Sequence, residues 1–160
     1  MSKNTTDLIY AMLTNRNLAR YIHYIGDFDP LDVNLPNVKS SVVKANNFVL
    51  THFNLDVLSE AKILVFINPV QGKFNSNNVL AGDQYVVDII IPYKYWYIGN
   101  TGELRAYKIA YEICQAIDFK NVAGIGNVEI TNWNSSKVND LYSGLKLFIS
   151  VTNGTMNSGA

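Results

Sequence analysis

Apolar residues recur at helical spacing in two regions of the chain. Between residues 4 and 26 they lie three or four positions apart, with Thr5 or Thr6 as the candidate N-cap and Gly26 as the candidate stop. The polar stretch at residues 14–17 allows a break into two short helices. A clearer apolar stripe over residues 106–117 predicts a further helix, which begins after the turn at residues 99–102.

Four segments have the composition of β-strands. Residues 63–68 (ILVFIN) and 83–91 (DQYVVDIII) are nearly continuous apolar runs, each followed by a proline, and such runs predict strands buried on both faces. Residues 127–133 and 144–152 alternate between apolar and polar, as strands with one buried face do. The order α–β–β–α–β–β predicts a single α+β domain over residues 1–152, with one antiparallel β-sheet flanked by helices.

Three segments lack a regular pattern. Residues 27–61 contain two prolines that prevent a continuing helix, so we expect a long irregular connection. Within it, residues 42–43 and 48–50 are candidates for short strands or extended packing segments, and residues 56–61 for one helical turn. Residues 70–82 (VQGKFNSNNVLAG) predict a hairpin loop much longer than a hairpin needs. Residues 153–160 are small and polar and are expected to form a flexible C-terminal tail.

Composition narrows the classes of function. The chain has 160 residues, of which 48% are hydrophobic, which excludes a disordered protein. Its 13 basic and 13 acidic residues cancel, which excludes a polybasic nucleic-acid binder, though not a local basic patch. Charged residues make up only 16% of the chain, and a charge-poor surface favours a subunit of an assembly. The sequence contains no apolar run of the length of a signal peptide or a membrane span, so we expect synthesis in the cytosol without a membrane step.

Few side chains are candidates for catalysis. His23 lies beside the first apolar stripe, and His52 lies in the irregular connection with no serine or cysteine motif near it. The single cysteine, Cys114, falls on the second apolar stripe and excludes an internal disulfide. We therefore interpret His23 as a surface or partly buried histidine and Cys114 as an inert core thiol. We expect a protein that is not an enzyme and that binds no cofactor.

Two short motifs resemble ligand sites only in part. Asp27, Asp29 and Asp32 lack the spacing, central glycine and terminal glutamate of an EF-hand loop, so a solvated turn is favoured over a calcium site. Residues 124–126 (GIG) lack the third glycine of a dinucleotide-binding fingerprint, and a tight helix-to-strand turn explains them better. Asp88, inside an apolar strand, needs a partner or marks an edge or interface, and a paired structural role is favoured.

The segment 93–97 (YKYWY) places four aromatic rings around one lysine. Aromatic side chains interleaved with positive charge can stack on bases, but Lys94 alone supplies too little charge for that. Aromatic, charge-poor surface is typical of protein–protein interface cores. The interface candidates are Tyr93, Tyr95, Trp96 and Tyr97. The alternative is that half of these rings pack on the domain's own sheet.

Residues 63–151 resemble the tail-terminator (tail-completion) proteins of tailed bacteriophages. The features that carry the resemblance are residues 85–92 (YVVDIIIP) followed by Trp96, a helix opened by Arg105 with Ile109, Ile113 and Ile117, the GIG turn, and a closing strand at residues 142–151. Residues 4–61 do not align with the family pattern. The resemblance implies a small α+β structural protein that assembles into a ring, typically a hexamer, at the head–tail junction of the virion.

In that family a long loop between two central strands lines the DNA channel or becomes ordered on assembly, and residues 70–82 are the corresponding segment. The channel candidates are therefore Lys73, Phe74, Asn75, Asn77 and Asn78. The implied partners are copies of the chain itself, the tail-tube protein, the head-completion or connector proteins, and DNA that passes without sequence-specific binding. Alternatives are another neck ring such as a head-completion stopper, or, in a different class, a small phage enzyme or a host-binding protein.

Overall fold

The computed structural model describes residues 2–50, 61–74 and 80–152, and it confirms the α+β class. The helices are α1 (Ser2–Leu13), α2 (Arg16–His23), α3 (Ser40–Asn47) and α4 (Arg105–Ile117). The strands are β1 (Phe48–Val49), β2 (Leu64–Phe74), β3 (Leu80–Pro92), β4 (Lys120–Val122), β5 (Gly126–Lys137) and β6 (Tyr142–Thr152). A short 3₁₀ helix, Tyr93–Tyr95, follows β3.

The strands form one six-stranded sheet in the order β1-β2-β3-β6-β5-β4. β1 runs parallel to β2 and pairs with it only through Val65 and Phe66, and all other neighbours are antiparallel. β2, β3 and β6 therefore occupy the inner part of the sheet. This position explains why residues 63–68 and 83–91 are so apolar.

The helices pack against one face of the sheet. Every second strand residue points toward them, so alternate positions of β2, β3 and β6 enter one core with the apolar stripes of the helices. Those strand residues include Val65, Ile67, Val87, Ile89, Leu147 and Ile149. At about 1.5–3 kcal/mol for each large side chain, burial of this face is the main source of stability.

A buried arginine joins the helical layer to the segment after β3. The guanidinium of Arg105, 1% exposed, donates from Nε to the Tyr95 carbonyl at 3.0 Å. It also donates from Nη1 to the Tyr21 carbonyl at 3.0 Å and from Nη2 to the Ile25 carbonyl at 3.2 Å. Burial lowers the pKa of the guanidinium, and the nearby Tyr21 and Asp27 side chains oppose part of that shift. One side chain thus fixes α2, α4 and the 3₁₀ helix relative to one another.

Arg105→Met is expected to lower the free energy of unfolding by about 3–5 kcal/mol, because it leaves three buried carbonyls without a donor. Urea unfolding followed by circular dichroism measures the change. Arg16→Met serves as the control, because Arg16 is exposed and bonds only the exposed Asn37, and its cost should stay below about 1 kcal/mol. Equal costs for the two variants would contradict the role assigned to Arg105.

A second buried arginine organises the irregular connection after α2. Arg20 Nε donates to the Pro30 carbonyl at 3.0 Å, and its two terminal nitrogens donate to carbonyls of residues 32, 35 and 36. Tyr24 Oη donates to the Pro36 carbonyl at 2.6 Å. The connection is therefore irregular, as expected, but its carbonyls are bound by the side chains of Arg20 in α2 and of Tyr24 at the C-cap of α2.

The prediction for residues 27–61 is correct only in part. Residues 42–43, considered as a strand or extended segment, lie in α3, whose eight residues carry too few apolar positions to show a helical period. Phe48–Val49 form β1, which agrees with the alternative that predicted a short strand at residues 48–50. The candidate helical turn at residues 56–61 and His52 lie outside the described residues, except for Ala61 and its irregular backbone.

The long hairpin loop predicted at residues 70–82 is wrong. β2 continues through Pro69 to Phe74 and β3 begins at Leu80, so strands cover the predicted loop apart from residues 75–79, which lie outside the described part of the chain. The strand register shifts between Pro69 and Gln71 and again between Lys73 and Phe74. These irregularities let β2 continue past Pro69 and through Gly72.

The GIG segment is a strand-to-strand turn, and the predicted helix-to-strand turn is wrong. It joins β4 to β5, and β4 has only three residues, too few to be visible as an alternating pattern. Gly124 adopts a φ of 82°, which a residue with a Cβ rarely adopts. The outermost strand of the sheet was therefore missed.

Tyr85 is a buried tyrosine of β3 with a charged partner. Its hydroxyl donates to Asp83 Oδ2 at 2.9 Å, and Asn4 Nδ2 donates to the same oxygen at 3.4 Å. Burial, and then the bond to Asp83, raise the pKa of the Tyr85 phenol above its ordinary value of 10.0. The phenol therefore stays protonated in the folded protein after it ionises in the unfolded chain.

Tyr85→Phe is expected to reduce the loss of folding stability that the protein undergoes at alkaline pH. The protonated phenol's contribution is fully present below about pH 10 and is lost as the pH rises toward the native pKa. Urea unfolding at about pH 8 and about pH 11 should show a smaller drop for this variant than for the wild type. At the lower pH the lost hydrogen bond costs about 1 kcal/mol. Tyr107→Phe, at an exposed tyrosine, should retain the wild-type drop.

Candidate functional site

The face of the sheet opposite the helices carries a second, smaller apolar cluster. Leu64, Phe66, Ile90 and Tyr142 are buried there, and Val49 packs against them. Next to the cluster, Asp88 Oδ1 lies 3.4 Å from Lys146 Nζ, its direct cross-strand neighbour. The paired structural role predicted for Asp88 is therefore confirmed.

Beyond this ion pair, the same face contains a shallow groove. Its volume is ≈ 420 Å³. The lining combines apolar side chains with polar ones, among them Val70, Val86, Phe148, Gln84, Asn132 and Ser150. Val70, at the bulge of β2, is exposed. The helix-free face therefore has a buried apolar cluster at one end and an open groove of mixed polarity at the other.

The aromatic segment 93–97 divides into rings that face the core and rings that face solvent. Tyr95 and Trp96 are half-buried and pack against the main core, whereas Tyr93 and Tyr97 are exposed. The Tyr93 ring lies 6.1 Å from the Trp96 ring, and the Tyr93 N–H donates to the Leu141 carbonyl at 3.0 Å. The alternative in which half of these rings pack on their own domain fits this segment.

The predicted channel residues lie far from the aromatic segment. Lys73 and Phe74 are in β2 near the end of the hairpin, and Asn75, Asn77 and Asn78 lie outside the described residues. Lys73 pairs with Gly82 near one end of β3, while Tyr93 follows Pro92 at the other end. At about 3.3 Å per strand residue, roughly 30 Å of sheet separates them. The structure therefore places Lys73 and the aromatic segment toward opposite ends of β3.

A third exposed aromatic group was missed in the sequence. Tyr107 and Tyr111 lie one turn apart on the solvent side of α4, and the Tyr107 ring packs edge-on against Trp133 of β5, with centroids 5.6 Å apart. Lys108 forms an ion pair with Glu103 at 3.1 Å. Together with Tyr107 and Tyr111 it lines a surface cavity of ≈ 510 Å³. In the sequence, the two tyrosines that lie outside the apolar stripe of α4 could have indicated this exposed aromatic group. Their contact with Trp133 depends on long-range packing.

The residues considered for catalysis and metal binding do not converge. His23 is exposed and lies edge-on to the Tyr24 ring, and burial raises the pKa of the half-buried Cys114 thiol. Asp29 and Asp32 accept backbone N–H bonds two residues on, which is the geometry of solvated turns. Across residues 2–50, 61–74 and 80–152, no cluster of three metal-ligating side chains occurs.

Phe119, just after α4, has an unusual combination of backbone and exposure. Its φ is 53°, in the left-handed region, and 81% of the side chain is exposed. That conformation costs a residue with a Cβ roughly 1–2 kcal/mol. The sequence thus has an exposed phenylalanine where glycine or asparagine would be more stable.

Phe119→Gly is expected to raise the free energy of unfolding by about 0.5–1 kcal/mol, because relief of the left-handed strain exceeds the added entropy of the unfolded chain. Thermal and urea unfolding measure the gain. The matched control is Phe119→Ala, which keeps the strain and should stay within about 0.5 kcal/mol of the wild type. A gain of the same size in both variants would instead point to the aromatic ring.

Comparison with known proteins places the chain in a family. The family model named YomW matches residues 15–151, and the chain belongs to the YomW family. The family is represented by YomW of Bacillus phage SPBc2, so this is a phage-related protein. No curated protein matches the chain. None of the helices in the described ranges is long and apolar enough to cross a membrane.

Proposed function

We propose that this protein is a structural component of the phage head–tail junction. In this proposal, copies form a ring that ends the tail tube and joins it to the head-completion proteins, as a tail terminator does. Support comes from the phage family, the α+β fold, and the charge-poor composition. The protein occupies the host cytoplasm during assembly and the virion afterwards.

The observation that carries the proposal is the separation of two candidate surfaces along β3. A neck ring must contact a different partner on each side, and a subunit with distinct surfaces at the two ends of one strand suits that task. The segment with Tyr93 and Tyr97 presents aromatic anchors at one end. The β2–β3 hairpin, which carries Lys73, lies at the other end.

We assign the hairpin to the DNA channel in this proposal. Its sequence over residues 70–82 is rich in asparagine, glycine and serine and has Lys73 as its single cation before Asp83. Few charges near the phosphates would let DNA slide past without being gripped. A head-completion stopper shares these requirements and remains the second station to test.

A structural role is favoured over a catalytic one by the state of the candidate groups. The half-buried Cys114 has a thiol whose pKa is raised by burial, which disfavours the nucleophilic thiolate. His23 is exposed and contacts an aromatic ring instead of a nucleophile. The exposed tyrosines of segment 93–97 are instead side chains that interfaces use as anchors.

The test is the mass of the purified protein over a concentration series, alone and with purified phage tails, with negative-stain images of the same fractions. We expect rings of about six copies that grow with concentration. Tyr97→Ser should raise the concentration needed for rings by roughly tenfold or more, because Tyr97 is 65% exposed and serves as an anchor. Val33→Ser, at an apolar residue 93% exposed in the connection after α2, should leave it unchanged. The absence of any species larger than a dimer, both alone and with tails, would overturn the proposal.

A further inference from the structure

Among the residues that the structure describes, no strand pairs with the outer edge of β5 over most of its length. β5 pairs with β6 from Asn127 to Lys137, but on its other side β4 reaches only Val128. The Val138 N–H donates to the Tyr142 carbonyl at 3.3 Å. By the two-residue alternation of antiparallel strands, the N–H and carbonyl groups of Trp133, Ser135 and Lys137 therefore face away from β6.

The opposite edge of the sheet, at β2, is protected against pairing with another strand, whereas the β5 edge is protected only in part. Past Phe66, β2 carries Pro69, two register shifts and Lys73, which are features that hinder pairing with another strand. On β5, Asp118 Oδ1 accepts the Ile130 N–H, and the Asn132 side chain accepts the Trp133 N–H, both at 2.8 Å. The stretch from Ser135 to Lys137 has no such side-chain acceptor within the described part of the chain.

Apolar side chains border the free edge. Trp133 is 53% exposed and is held by its contact with Tyr107. Phe119 lies next to Asp118 near one end of the edge, and Leu141, also exposed, lies in the β5–β6 turn at the other end. An exposed Trp beside an unpaired strand is the kind of anchor found at interface centres.

The charges along the β5 edge favour a second copy of the chain as its partner. Asp118 and Glu129 lie toward its first half, and Lys137 lies at its far end. Lys137 contacts Asp140 at 3.6 Å, and both side chains are largely exposed, so this pair is weak. Glu129 faces the helix-free side of the sheet, whereas Lys137 faces the helix side. An antiparallel copy of the same strand brings Lys137 of each chain toward Asp118 of the other, while a parallel copy opposes like charges.

We propose that β5 pairs antiparallel with β5 of a second copy, around a two-fold axis near Asn134, to form a twelve-stranded sheet. In this arrangement Trp133 of each copy lies opposite Ser135 of the other, and Lys137 lies near the start of the open edge, where Asp118 of the other copy holds the Ile130 N–H. The Asn132 side chain releases the Trp133 N–H, which joins the ladder between the chains. The contact is isologous and closes at two copies, so it differs from a head-to-tail ring contact and does not rest on the proposed function.

The first test compares Ser135→Pro with Ser135→Ala by sedimentation equilibrium. Proline removes an N–H that faces outward, so it spares the bonds to β6 but blocks the ladder between copies. We expect a wild-type dimer, a dissociation constant raised roughly tenfold or more by Ser135→Pro, and little change for Ser135→Ala. A wild-type protein that stays monomeric, or equal effects of the two variants, would overturn the proposal.

A charge exchange keeps the proposal testable if the proline variant does not fold. Asp118→Lys and Lys137→Glu should each weaken the dimer, and the double variant should restore it, because the two unlike charges still meet in antiparallel copies. Added salt should weaken the wild-type dimer as well. Failure of the double variant to recover would count against antiparallel pairing. Ring formation is scored separately by imaging, so loss of the dimer and loss of the ring are distinguishable.

Discussion

The hydrogen bonds from Arg105 to three carbonyls hold the helical layer and the aromatic segment in one arrangement. The guanidinium lies among the Tyr21, Ile25 and Tyr95 carbonyls, which belong to two separate stretches of chain, the end of α2 and the 3₁₀ helix. Because its planar donors fit these acceptors only in one orientation, α2 and α4 cannot slide past each other without leaving a buried charge unpaired. The orientation of segment 93–97, with two rings inward and two outward, follows from the bond to Tyr95.

The same use of charge explains the neutral surface. Arg20 and Arg105 are both buried and bind backbone carbonyls instead of carboxylates. In a chain with only 16% charged residues, each cation placed inside leaves the outside poorer in charge. A protein of net charge zero has little long-range repulsion between copies, and its exposed tyrosines and tryptophan then decide what it contacts.

Local pattern predicted the central fold well and its periphery poorly. The stripe over residues 106–117 and the runs at 63–68 and 83–91 correspond to α4, β2 and β3, because burial on the core imposes a period on those residues. α3 and β4 are too short to show a period. The sequence of the β2–β3 hairpin predicts a loop because glycine and asparagine favour turns, whereas strand pairing extends β2 to Phe74. Asp88 could be predicted as paired from desolvation cost alone, but its partner Lys146 follows from strand order. The contact of Tyr107 with Trp133 likewise requires the tertiary structure.

The two edges of the sheet show how such a surface can be specific. A long unpaired strand on a neutral protein is a template for uncontrolled association, and proteins normally protect it with proline, lysine or a bulge. Here β2 has all three features, whereas β5 has two side-chain acceptors near its start and an exposed Trp133 beside its open part. If both edges were open, copies would add without limit. With one edge protected and the other open, strand pairing ends after a single contact, and further assembly must use other surfaces such as the two ends of β3.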